Sequence, residues 1–227
     1  MMLLPLFLAT VTATVATAAT PTKPTYDPGD GWTLVWSDEF DSTTTTTLDP
    51  ANWAFEIGTG SSGWGNNELE YYTSSSTNAN VTDGSLYITA LANDQGHAYT
   101  SARVKTEGLQ QFEFGKVVAS MQLPYGVGIW PAFWMLGSNI NNVSWPTCGE
   151  IDIMELNGAQ AATTDFTVHW NTAVYPALSQ ADYGLSATLP SGIFNDNFHF
   201  FEVEWNENVI IGRLDGVEMV CASFAFF

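Results

Sequence analysis

The chain has 227 residues and a formal charge of −19, from 24 acidic side chains against only five Lys and Arg. Phosphate backbones, anionic membranes and acidic polysaccharides all need cations the chain does not have, so a nucleic-acid partner is excluded and a neutral substrate is left. Two cysteines are too few for a disulfide framework or a thiolate metal site.

In chain order, MMLLPLFLATVTATVATAAT combines an apolar stretch with small residues and an A-x-A site at Ala16-Thr17-Ala18. It reads as a secretory signal peptide over residues 1–18. A short Thr/Pro leader follows over 19–30, and one domain is expected over 31–227. No later stretch is long and apolar enough to span a bilayer. The sequons Asn80-Val81-Thr82 and Asn142-Val143-Ser144 agree with an extracellular or cell-wall location.

Strand signals then dominate. Runs rich in Val, Ile, Thr, Phe and Trp lie at 32–40, 85–91, 100–108, 114–123, 128–137, 148–156, 165–170, 198–205 and 209–216. Turn signals such as Asp83-Gly84 and Asp215-Gly216 separate them. Without long helical periodicity or repeats, the pattern predicts an all-β, antiparallel β-sandwich, expected to act as a monomer. Trp130 and Trp134, four apart in a predicted strand, share a face; core packing and stacking on sugar rings are equally open for them. A Cys148–Cys221 disulfide is likewise left open.

The segment GEIDIMEL, 149–156, is the most informative. Period-two alternation places Glu150, Asp152 and Met154 on one face and Glu155 on the other. No Lys or Arg offsets the acidic residues, which argues against an ordinary solvated face. A β-bulge at Ile153-Met154 would return Glu155 to the face of its two neighbours. Glu150 and Glu155 would then stand about 13 Å apart at Cα. Long side chains leaning inward would approach the ~5–5.5 Å used by retaining glycosidases. Crowded carboxyls push their pKa values apart, as one ionised nucleophile and one protonated acid require.

Taken with WSDEF, GWGNNELEYYT, DGSLYITA, YTSARVKT, GIWPAFWMLG and FHFFEVEW, the motif E-I-D-I-M-E resembles glycoside hydrolase family sixteen, in its laminarinase-like endo-β-1,3-glucanase branch. The resemblance runs from about Trp32 to Val220. It implies a jelly roll whose concave sheet carries a cleft for β-1,3-glucan. It further implies Glu150 as nucleophile, Asp152 as its assisting residue and Glu155 as general acid/base. Asn66, Arg103, Trp130, Trp134 and His169 are implied as substrate-binding residues. No cofactor is required, but a structural calcium involving Glu39 and the backbone of Gly84 is implied. Relatives continue past the strand ending in DGVEM, so one or two final strands and a calcium carboxylate are expected to be missing. A non-catalytic β-glucan-binding protein, and a transglycosidase or galactan hydrolase on the same scaffold, remain as alternatives.

Overall fold

A computed structural model describes residues 24–223, so the signal-peptide segment 1–18 and part of the 19–30 leader lie outside the described residues. Among the described residues fifteen strands follow one another: β1 (Ala54–Glu56), β2 (Tyr71–Tyr72), β3 (Ala79–Thr82), β4 (Ser85–Ile88), β5 (Leu91–Asp94), β6 (His97–Ser101), β7 (Arg103–Lys105) and β8 (Gly115–Met121). Then come β9 (Ala132–Leu136), β10 (Glu150–Glu155), β11 (Thr163–Asn171), β12 (Gln180–Thr188), β13 (His199–Trp205), β14 (Val209–Leu214) and β15 (Val217–Ser223). One α-helical turn, α1 (Ile140–Val143), interrupts them.

Two four-stranded antiparallel sheets form the body, ordered β12-β11-β10-β9 and β15-β14-β13-β8. Apolar side chains at every second position point inward from both. Ile153, Met154, Phe166 and Val168 from the first sheet meet Phe201, Val203, Ile210, Leu214 and Val220 from the second in one buried cluster. The sheets pack tightly at Gly212 on β14, where an added Cβ would fall 2.3 Å from the Phe166 ring. A smaller cluster of Leu48, Ala79, Val81 and Ala102 lies under Phe40, Trp53 and Phe55.

Three sequence expectations change. The run 32–40 forms no strand. Leu34 and Val35 point to solvent, 78% and 82% exposed. The segment is instead docked by side chains, with Trp36 donating to Asn52 Oδ1 (3.3 Å) and Trp53 donating to Asp38 Oδ2 (2.9 Å). Residues 85–91 and 100–108 each break: β4 ends at Ile88 and β5 begins at Leu91, while Ala102, buried in the smaller core, separates β6 from β7. β12 was not anticipated. Its weak alternation carries Gly184 mid-strand, and its position comes from pairing along the whole of β11. One short pair, β2 with β6, is parallel.

The four cations among the described residues all have partners. Arg103 and Lys105 flank Glu56, while Lys116 and Arg213 flank Glu202 and Glu204. Among the described residues such pairing leaves no uncompensated basic patch for a polyanion. Cys148 and Cys221 are both free, half-buried and exposed respectively, so the disulfide left open by the sequence is not formed.

Candidate active site

The bulge lies where the carboxylate spacing required it. Against β11, Asp152 pairs with Thr167 and Glu155 with Asp165, three residues of β10 matching two of β11. Against β9, Asp152 pairs with Trp134 and Met154 with Phe133. Ile153 and Met154 consequently both enter the core, each 1% exposed. Alternation resumes one residue out of step, and Glu155 comes onto the face of Glu150 and Asp152. Their neighbours on β11 are Asp165, Thr167 and His169, again every second residue.

Asp152 is the buried member of the three, 4% exposed. Burial, then the charges of Glu150 and Glu155 and a hydrogen bond to Glu150, push its carboxyl up to about 9. His169 Nε2 lies 3.1 Å from Asp152 Oδ2. Burial likewise lifts the Glu155 carboxyl above the usual carboxylate range. Trp130 opposes that by donating its indole N–H to Glu155 Oε1 at 3.1 Å, as does the nearby His169. Asp165 and Glu150 add to the rise. The three carboxyls thus differ in environment although they share one face.

Trp134 stands on β9 opposite Asp152. Trp130 precedes β9, which starts only at Ala132, so strand periodicity does not account for its direction. It nevertheless reaches Glu155 and remains half exposed, its ring open to a ligand. Arg103, on β7, lies between two indoles, its guanidinium carbon 4.8 Å from the ring centroids of both Trp64 and Trp134. Glu56 holds it from the side at 2.5 Å. Asn66 is exposed and donates to Glu68 Oε1 (3.2 Å), the same oxygen that stands 3.9 Å from Arg103 Nη1. Glu68 therefore links the GWGNN turn, residues 63–67, to Arg103 and the tryptophan pair.

Trp145 escaped the sequence reading. Its indole donates to Glu150 Oε2, and its ring lies 6.2 Å from that of His169. It comes from the loop between α1 and β10, so no strand period pointed to it. Trp64 and Asp165 were also missed. For Asp165 a signal existed, since it alternates with Thr167 and His169 along one strand.

Glu39 is exposed, and the Gly84 amide donates to Ser42 O (3.0 Å), which lays the Glu39 segment against the β3–β4 turn. Calcium takes six to eight oxygen ligands. Among the described residues no group of three or more His, Cys, Asp or Glu gathers to hold a metal, though calcium also takes backbone carbonyl oxygens such as that of Gly84.

Fold and site together define a β-sandwich protein with carboxylates and tryptophans gathered on one sheet face. The chain belongs to the glycosyl hydrolases family 16, whose model matches residues 66–222. It is similar to the beta-glucanase of Rhodothermus marinus (39% identity over 188 residues, 81% of this chain and 63% of that protein). It is also similar to the clotting factor G alpha subunit of Tachypleus tridentatus (41% identity over 186 residues), covering 82% of this chain but 26% of that one. Among solved structures, the laminarinase catalytic domain of Thermotoga maritima MSB8 superposes with a TM-score of 0.74 at 42% identity, over 86% of this chain and 78% of that chain. The chain thus spans less than two thirds of the two curated relatives.

Proposed function

We propose that this chain is a secreted, retaining endo-β-1,3-glucanase acting on neutral glucan as a monomer. The carrying observation is the register shift that returns Glu155 to the face of Glu150. Similarity to proteins named as laminarinases and glucan endo-1,3-beta-glucosidases supports the substrate class. The apolar opening segment, with its small-residue cleavage site, supports secretion.

In this reading Glu150 attacks the anomeric carbon while Glu155 gives its proton to the departing glycosidic oxygen. A covalent glycosyl ester on Glu150 results, with the reducing-end fragment free. Glu155, now a carboxylate, takes a proton from water as that water attacks the same carbon and releases Glu150. Two inversions give retention. The elevated Glu155 carboxyl suits the first step, because an acid must still hold its proton near the working pH. Asp152 donates to Glu150 and steadies its orientation before attack. Trp130 and Trp134 offer flat apolar surface to sugar C–H faces.

The test is incubation with laminarin, following new reducing ends and, by proton NMR, the anomer released first. Production of the β-anomer, lost by a factor of at least about 100 in Glu150→Gln, is expected. Binding of laminarin without turnover by the wild-type protein would overturn the assignment and leave a glucan-binding function.

A further inference from the structure

A fourth carboxylate shares the cleft face and has no part in the mechanism above. Asp165 on β11 stands directly opposite Glu155 because of the bulge; an unbulged β10 would have set Met154 there instead. Such directly opposed residues have Cβ atoms about 4.5–5.5 Å apart. Ser186, its partner on the far side in β12, donates its hydroxyl to Asp165 Oδ1 at 2.5 Å. That bond fixes the carboxylate between β10 and β12. We propose that Asp165 is a positioning residue for the acid/base: its fixed negative charge opposite Glu155 helps keep the proton on Glu155 until the glycosidic oxygen takes it. The assignment rests on the acid/base role proposed for Glu155.

The other groups around Glu155 are accounted for. Its own strand contributes Glu150 and Asp152, and β11 contributes His169 beside Asp165. From the β9 side come Trp130 and Trp134, with the Arg103 guanidinium stacked on Trp134 and already paired to Glu56. On β12 the acidic side chain is Asp182, opposite His169 rather than Asp165. The Asp165 charge acts in the direction the proposal needs, raising the Glu155 carboxyl alongside burial, while the Trp130 N–H and His169 act against it.

Asp165→Asn keeps the shape and the Ser186 partner and removes the charge. In the pH dependence of kcat/KM on laminarin, the alkaline limb is expected to move down by about half a pH unit. Asp165→Glu should restore it, and Asp182→Asn should move it less. Independently of turnover, carboxyl carbon-13 NMR of the glutamate-labelled protein, assigned with Glu155→Gln, reads the Glu155 titration directly. A downward shift of the same size in Asp165→Asn supports the assignment. An unchanged or upward Glu155 titration in folded Asp165→Asn overturns it, whether or not laminarin is cleaved. Absence of turnover in every form, with the titration still shifted, would instead count against the glucanase reading alone.

Discussion

Replacing Asp152 with Asn tests the electrostatics of the site most directly. Asp152 is 4% exposed, with its carboxyl pushed up to about 9 by burial and by its two glutamate neighbours. In the unfolded chain an Asp titrates near 3.9. Between those values the folded protein holds a proton that the unfolded chain has lost. Because the folded value is the higher one, this contribution is fully present below about pH 4 and disappears as pH rises toward about 9. One extra bound proton corresponds to a fall of about 1.4 kcal/mol in stability per pH unit, or about 4 kcal/mol between pH 5 and pH 8. Asn resembles the protonated acid in shape and can still donate to Glu150, but it does not titrate. Urea unfolding of both proteins at pH 5, 6, 7 and 8 should therefore show Asp152→Asn gaining on the wild type by that amount across the range. Parallel stability curves would refute the reasoning, because they would mean that Asp152 carries the same charge folded and unfolded.

Trp130→Phe removes the N–H donor that holds the Glu155 carboxyl down while keeping most of the aromatic surface. The alkaline limb of the laminarin pH profile should move upward, opposite to Asp165→Asn; a downward movement would contradict the hydrogen bond's role. Gly212→Ala sets a methyl group 2.3 Å from the Phe166 ring between the two sheets. Overpacking of this kind costs about 1–3 kcal/mol, readable by chemical denaturation. A neutral result would show that the sheets separate there without penalty.

The carboxylate motif was legible because its chemistry and its irregularity are both local. Three acids without a compensating cation, and one apolar residue too many, suffice to predict the bulge, and the register shows it between Asp152 and Glu155. Trp130 and Trp134 were paired for a reason that holds only for Trp134, which lies in β9; Trp130 reaches Glu155 from the preceding loop. Trp145 carried no usable pattern, since loops have no period to read. The run 32–40 looked like a strand by composition, yet its Leu34 and Val35 face solvent. β-propensity measures fit to a half-buried pleated surface, and that segment is held by side-chain anchors instead.

By itself, the sequence determined the class of structure, the scarcity of cations, and the strand that carries Glu150, Asp152 and Glu155. Those properties depend on charge balance and on a period of two, which neighbours in the chain already set. Tertiary structure alone decided that β12 lies along β11, that Arg103 sits between Trp64 and Trp134, and that Asp165 faces Glu155. Each of these joins segments far apart in the chain or across a ladder. Their geometry follows from which strands pair and in what register, and the burial that sets register belongs to the assembled sandwich rather than to any one segment.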